Sequence, residues 1–478
     1  MELHVSLAGR TRLGEEIYRQ LRQAIVDGRL RAGDLLPATR HLARTLSVSR
    51  STVTVAYDRL AGEGFVRSRV GAGTFVSDQV AREPGRAKAQ RGATALQARE
   101  IWNSIHLSTA FIGRARFDFR TGLPDASLFP HKAWRRLIGR ELRSGAAEAG
   151  VYGHPAGHPA LRTAIARHIG ISRGVQASPD DITITSGTQQ ALDIVARVLL
   201  APGDVVAVED PGYTPPRFLF ESLGARVVRV PVDRDGLVVD ALPRRARLVY
   251  LTPSHQYPLG VPLTLSRRMT LLAWAERNNA AIVEDDYDSE FRFEGRPVEP
   301  LQTLDTAGRV LYVGSFSKTM LPTLRIGFLV VPPSLRDATH KAKYVTDWHT
   351  ALPIQAALAR FIEEGGFARH IRRMSSVYRA RHTLVIDALN RQFSRHLEVL
   401  PSTNGLHVAA LARSGSADRI DAIARHAADA GVAVQTLAFL AGDTPSRPGL
   451  VLGYGAIPTE RVEEGLRRLR SCFETSLR

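Results

Sequence analysis

The sequence predicts two folded parts joined by a linker: a small α+β unit of three helices and a hairpin, then a large α/β domain built on a mostly parallel sheet. Three observations carry this reading. Between Leu13 and Leu60, apolar residues recur at helical spacing. After residue 118, strand-like apolar runs alternate with helical stretches. Between these parts, residues 79–117 open with a stretch rich in Ala, Arg, Gly and Gln and poor in large apolar side chains, which is the composition of a linker, with ordering expected to return near Trp102. A chain of 478 residues has the length for two or three domains.

In the first part, Leu13, Ile17, Leu21, Ala24 and Ile25 share one face of a helix over Leu13–Asp27, which Gly28 and Gly33 stop. Thr39 is suited to N-cap a second helix through Leu46. Ser49 is suited to cap a third over Arg50–Glu63, with Val53, Ala56, Tyr57 and Leu60 on its inner face and Gly64 ending it. FVRSRV, a Gly71-Ala72-Gly73 turn and TFV then make a short hairpin. Three helices followed by a two-stranded wing form a winged helix-turn-helix over residues 1–78.

Hydrophobic residues make up 44% of the chain and charged residues 23%, ordinary values that exclude wholesale disorder and collagen. A single cysteine, Cys472, excludes a disulfide scaffold and fits a reducing compartment. The N-terminus has no apolar run of signal-peptide length. Apolar stretches such as Ala191–Leu200 are too short to span a bilayer and contain Asp193 and Arg197. The expected location is therefore the cytoplasm, with no membrane partner. Net charge is +17, and residues 1–117 alone carry 19 basic against 10 acidic side chains. Such an excess fits a polyanion. Only five of the basic residues are lysines (Lys88, Lys132, Lys318, Lys341 and Lys343), so each merits inspection.

The charge excess and the predicted helices fit double-stranded DNA or a protein-interaction winged helix with solvated arginines; the DNA reading places its contacts as follows. The turn at Ser47-Val48-Ser49 presents the N-terminus of the third helix, and helix N-termini favour phosphate while their first residues reach base edges in the major groove. Ser49, Arg50 and Thr52 stand there, and Arg50 can fork two donors onto guanine. Arg40 opens the supporting helix and is placed for a backbone phosphate. Arg67, Arg69 and the small tip ending at Gly73 suit a wing along a minor groove. The segment LPATRHLARTLSVSRSTVTVAYDRLAGEGFVRSRVGAGTFV resembles the GntR-type winged helix, over about residues 10–78.

The second part contains the runs DITIT, DVVAVED, ARVVRVPV, ARLVYLTP, AAIVEDD, RVLYVGS and IGFLVV, which end in Gly, Asp or Pro. Ligands of such sheets sit at the carboxyl ends of the strands. In LYVGSFSKTMLPTLRIGFLV an apolar strand is followed by Ser315, Ser317, Lys318 and Arg325. A lysine amine forms Schiff bases with aldehydes; two hydroxyls and an arginine make a phosphate cup. The common cofactor that carries both an aldehyde and a phosphate is pyridoxal 5′-phosphate (PLP). Partner motifs follow in order. ITSGTQQAL opens a helix at Gly187, where Thr188 and Gln189 suit phosphate. VVAVEDPGYTPPR places Tyr213 where a ring can stack on a pyridine. AAIVEDDYDSEF gives Asp285 at a strand end, where a carboxylate keeps a pyridinium nitrogen protonated, and Tyr287, which can bond the ring's 3′-oxygen. VYGHPAGHPALRTAIA carries Tyr152 before a helix.

In this order the motifs resemble the aminotransferase-like PLP-dependent fold type I, over residues 118–475. The resemblance implies that Lys318 is the Schiff-base lysine, Asp285 the ring-nitrogen partner and Tyr287 the 3′-oxygen partner. It implies that Tyr213 stacks and that Thr188, Gln189, Ser315, Ser317 and Arg325 hold the phosphate. It also implies that Tyr152 reaches the phosphate of the other subunit, making the protein a homodimer. The two halves together resemble the MocR/GabR-type regulators, a GntR winged helix fused to an aminotransferase-like domain, with FDFRTGLPDASLFP and TPSHQYPLG fitting that family. The resulting domains are 1–78, a linker 79–117 and 118–478.

Two departures from the enzyme pattern stand out. Tyr257 replaces the asparagine expected at the 3′-oxygen, and His255 is a candidate to take over part of its role. Val451 in GLVLGYGAIP holds the place of the arginine that forks onto a substrate carboxylate, leaving Arg217 or Arg447 as candidate substitutes. The expected function is a transcription regulator that senses an amine, an amino acid or PLP through Lys318, with the ligand shifting a population of domain arrangements. The alternative is an active aminotransferase that also binds DNA. No metal is expected.

Overall fold

The structure is a computed structural model and describes residues 13–69, 71–78, 96–105, 115–144, 151–295, 299–441 and 447–475. The chain divides into two compact units, 1–98 and 99–478, at a point inside the expected linker. The linker's 79–95 and 106–114 stretches and hairpin residue 70 lie outside the described residues.

The first unit consists of α1 (Leu13–Val26), α2 (Thr39–Thr45), α3 (Arg50–Gly62) and a hairpin of β1 (Val66–Arg69) and β2 (Gly73–Val76). Its core is the predicted helical faces closed by the hairpin: Ile17, Leu21, Val53 and Leu60 are fully buried, with Val66 and Val76 packed on them. Gly28 and Gly64 adopt positive φ at the ends of α1 and α3, as expected of helix stops. One expectation is corrected. Thr39 is the first helical residue of α2 and not its cap; Ala38 holds the cap position, since its carbonyl accepts the His41 and Leu42 N–H groups, and its methyl side chain makes no capping bond.

The second unit opens with a short helix, α4 (Ile101–Ser104), beside which Arg99 donates to the Ser222 carbonyl at 2.8 Å. Next come β3 (Phe117–Asp118), α5 (His131–Ser144), α6 (Pro159–Arg173), β4 (Ile182–Thr185), α7 (Thr188–Leu199), β5 (Val205–Asp210), α8 (Thr214–Ser222), β6 (Arg226–Asp233), β7 (Gly236–Leu237) and β8 (Ala246–Leu251). After these come α9 (Leu265–Arg277), β9 (Ala281–Asp286), α10 (Leu301–Leu304), β10 (Val310–Ser315), β11 (Gly327–Val330), α11 (Arg336–Asp347), α12 (Leu352–Glu363) and α13 (Gly366–Gln392). The chain closes with β12 (Leu397–Val399), β13 (His407–Ala412), α14 (Ala417–Asp429), β14 (Val432–Ala433), β15 (Gln435–Thr436), β16 (Gly449–Gly453) and α15 (Val462–Thr475).

Eight strands form one sheet in the order β4-β11-β10-β9-β8-β5-β6-β7. The run β10-β9-β8-β5-β6 is parallel; β11 lies antiparallel to both its neighbours and β7 antiparallel to β6. Every predicted strand run is found here, and β4, β9 and β11 are buried nearly along their whole length, the pattern of strands covered on both faces. A separate antiparallel sheet, β12-β13-β16-β15, comes from the C-terminal third. Its inner face, with Val408, Ala410, Leu450 and Leu452, packs in a core with α13, α14 and α15.

Candidate functional site

On the first unit, Ser49 caps α3 by accepting the Thr52 N–H at 3.1 Å, and its hydroxyl also meets those of Ser51 and Thr52 at 2.7 Å. The helix N-terminus is thereby fixed, and Arg50 stands exposed at it. Arg40 is exposed at the start of α2. Of the wing arginines, Arg67 pairs with Asp78, while Arg69 lies 5.6 Å over the Phe75 ring. Gly73 has φ +111°, and a side chain there would run into Leu35 at 2.7 Å, so the narrow wing requires glycine.

On the second unit, a cavity of about 350 Å³ opens where the strands of the parallel run end, the expected place for ligands of such a sheet. Its wall contains Thr188, Gln189, Tyr213, Asp285, Tyr287, Ser315, Ser317, Lys318 and Arg325, nine of the residues singled out from sequence. Lys318 Nζ donates to the Gly122 carbonyl at 2.9 Å. Gly122 has φ +76°, and a Cβ on it would stand 3.3 Å from that amine. Desolvation lowers the Lys318 pKa, which favours the neutral, nucleophilic amine; the carboxylates of Asp288 and Asp285 oppose it.

Asp285, near the end of β9, is buried. Its Oδ2 accepts from Tyr250 OH at 2.8 Å, and its Oδ1 has no hydrogen-bond partner. Burial pushes its pKa up to about 7, against the hydrogen bond from Tyr250. On the opposite side, Gly187 caps α7 with φ +90°, and the Thr188 and Gln189 N–H groups begin the helix. Arg325 is held in left-handed backbone (φ 51°, ψ 52°) and donates to the Ser186 carbonyl at 2.6 Å. A Cβ on Gly187 would meet that guanidinium at 3.1 Å. Gln189 Oε1 is buried without a partner. Cationic, hydroxyl and helix-N-terminal groups thus converge on one end of the cavity, a carboxylate with a free oxygen lies on its wall, and the Lys318 amine, its pKa lowered by burial, stands among them. This donor set fits PLP: Ser315, Ser317, Thr188 and Arg325 would hold its phosphate, Asp285 would serve its ring nitrogen, and Lys318 would react with its aldehyde.

Four predicted residues lie off this wall. His255 is buried behind it: its Nδ1 meets Asp288 at 3.1 Å and Tyr287 OH at 3.1 Å, and its ring is hemmed in by Gly260 and Gly405. It supports Tyr287 and Asp288 and does not face the cavity. Tyr152 is 74% exposed and stacks on Trp348 at 4.4 Å. Arg217 lies over the Phe218 ring, and Arg447 pairs with Glu398 at 2.7 Å beside a different cavity. Val451 is buried in the middle of β16, packed with Leu437 and Leu440 and against Tyr257. Sequence reading missed Tyr250, Thr252, Asp288, His407 and Thr121 on the wall. Tyr257 donates to or accepts from Thr121 at 2.8 Å. His407, at the start of β13, is held well below its ordinary pKa by burial and is a neutral imidazole.

Fold and site together define an aminotransferase-type, PLP-binding unit carried on the same chain as a winged-helix DNA-binding unit. Comparison with known proteins agrees. Residues 125–441 match the family Aminotransferase class I and II, and residues 13–76 match Bacterial regulatory proteins, gntR family. The probable rhizopine catabolism regulatory protein MocR of Rhizobium meliloti is 39% identical, over 96% of this chain and 93% of that protein. The pyridoxine biosynthesis transcriptional regulator PdxR of Corynebacterium glutamicum is 31% identical over 93% of this chain and 92% of its own length. Among solved structures, kynurenine aminotransferase of Pyrococcus horikoshii superposes with a TM-score of 0.71 at 27% identity, over 82% of this chain and 99% of that one. LysN, an α-aminoadipate aminotransferase of Thermus thermophilus solved with N-(5′-phosphopyridoxyl)-L-leucine, gives 0.68 at 31% identity, over 76% of this chain and 92% of that one. The chain belongs to the MocR-type transcription regulators, in which a GntR-type DNA-binding unit is fused to an aminotransferase class I and II domain. No helix among the described residues is long and apolar enough to cross a membrane.

Proposed function

We propose that this regulator senses the state of its Lys318 pocket, and that the ligand it reads is PLP itself or an amine lacking an α-carboxylate. One observation carries the proposal. Among the described wall residues the only lysine or arginine side chains are Lys318 and Arg325, and the proposal gives them to the cofactor's aldehyde and phosphate. None remains for a substrate carboxylate. Val451, packed with Leu437 and Leu440, holds the sequence position expected of the clamp, and Arg217 and Arg447 lie off the wall. A buried carboxylate without a charged partner loses about 2–5 kcal/mol, up to over a thousandfold in affinity.

When bound, PLP supplies an aldehyde that condenses with amines and a ring that withdraws electrons. The chain's own residues do the rest. Tyr250 fixes Asp285 with one oxygen free for the ring nitrogen, Arg325 and the start of α7 hold the phosphate, and the Gly122 carbonyl orients the Lys318 amine. A relative named for pyridoxine biosynthesis supports PLP as the ligand. The proposed assembly is a homodimer, with exposed Tyr152 reaching the partner's phosphate and two copies of α3 and the wing set on paired half-sites. Arg50 is the proposed base reader; Arg40, Arg67 and Arg69 are proposed backbone contacts. The test is a half-reaction assay: purified holoprotein is mixed with a panel of amino acids and conversion to the pyridoxamine form is followed by absorbance. Slow or absent conversion is expected; fast conversion by a common α-amino acid contradicts the proposal and favours an active aminotransferase.

A further inference from the structure

The phosphate cup does not end at Arg325. The Ser186 carbonyl that accepts from Arg325 belongs to a residue whose N–H donates to Gln190 Oε1 at 2.8 Å. Gln190, in the first turn of α7, donates through Nε2 to Asp347 Oδ2 at 2.7 Å. The other Asp347 oxygen pairs with Lys343, one turn earlier on α11. Lys343 is one of only five lysines and its side chain is 0% exposed; its Nζ is also 3.4 Å from Thr350 Oγ1. A buried ammonium is costly without its partner, so the position of Asp347 is set from both sides.

The residue after Asp347 is backbone-strained. Trp348 has φ 65° and ψ −75°, and His349 N–H donates back to the Asp347 carbonyl at 2.8 Å. This is the rare γ-turn form, which persists only where surrounding structure holds it. It aims the Trp348 ring onto Tyr152, with Tyr344 edge-on at 4.6 Å. A continuous set of hydrogen bonds thus runs from the cup to a strained turn beneath an exposed aromatic face.

We propose that Gln190, Asp347 and Lys343 are positioning residues that couple anion occupancy of the cup to the Trp348 turn. The inference rests on the phosphate cup, and it extends the reading above by giving the pocket a route to the Tyr152 face, which the proposed dimer sets against the partner subunit. An anion drawing on Arg325 shifts the Ser186 backbone through its carbonyl, Gln190 follows the N–H of that residue, and Asp347 moves against a fixed Lys343. Coupling of this kind is reciprocal.

The experiment uses the full chain in two forms, wild type and Gln190→Ala, with Gln190→Met as a volume-conserving second variant; Gln190 is only half-buried, so all three fold. First, affinities for PLP and for pyridoxal, which lacks the phosphate, are measured by absorbance. Gln190→Ala is expected to weaken PLP roughly tenfold and leave pyridoxal unchanged. Second, cofactor-free protein is titrated with inorganic phosphate, reading the emission difference between each form and the same form carrying Trp348→Phe. The wild type is expected to respond and both Gln190 variants not to. Equal weakening of PLP and pyridoxal, or an undiminished phosphate response in the variants, overturns the inference. Loss of PLP binding in the wild type would instead overturn the cofactor reading.

Discussion

The free Oδ1 of Asp285 and its raised pKa share a cause: burial beside a cavity with only Tyr250 as a donor. The consequence for stability has a definite sign. A carboxyl whose folded pKa is about 7 holds its proton in the native state and loses it when unfolded above about pH 4, so cofactor-free protein loses stability as pH rises from about 4 to 7. Asp285→Asn removes that penalty. In thermal melts of cofactor-free protein, the variant is expected to be more stable than wild type by roughly 2–4 kcal/mol at pH 8 and by little at pH 4. A pH-independent difference contradicts the assignment of the burial penalty to this residue. At the same scale, Lys318→Ala is expected to lose covalent attachment of PLP: borohydride reduction fixes cofactor to the wild type and not to the variant. Retained attachment sinks the role of Lys318.

The elements that carry these side chains were readable to different degrees. Ser315 ends, and Lys318 and Arg325 follow, a strand that announces itself by a continuous apolar run, and Asp285 lies next to the end of another; such local signals located both the strand and the side chain's place on it. His407 and Asp288 had no such signature. His407 reaches the wall only because β13 of the small antiparallel sheet returns to the cavity, a long-range pairing that no spacing encodes. Arg447 misled because nearness in sequence to the expected clamp does not bring a side chain to the wall, and Arg217 because no spacing encodes which way α8 faces. On the DNA-binding unit, α3 was readable from its cap and inner face, and its predictions belong to the element. Ser49→Ala is expected to cost about 1 kcal/mol of stability through the lost cap. Arg50→Ala is expected to cost roughly 1–3 kcal/mol on the specific site. Equal loss on random DNA would make Arg50 a phosphate contact and not a base reader.

At the scale of the whole molecule, one chain carries a DNA-binding unit and a pocket with Lys318 and Arg325 as the lysine and arginine of its described wall, both proposed to serve the cofactor. The same pocket keeps what PLP itself needs: the amine, the ring-nitrogen carboxylate and the cup. A sensor retains the grip on the cofactor while giving up the grip on an amino-acid substrate, and a ligand that binds two arrangements unequally shifts their populations. The most direct test is the affinity of full-length protein for its own promoter DNA, measured with and without PLP, in wild type and Lys318→Ala. A PLP-dependent change of several-fold or more is expected in the wild type, and Lys318→Ala is expected to abolish it. The same promoter affinity with and without PLP and every amine tried, together with rapid turnover of a common amino acid, would contradict the proposed sensing.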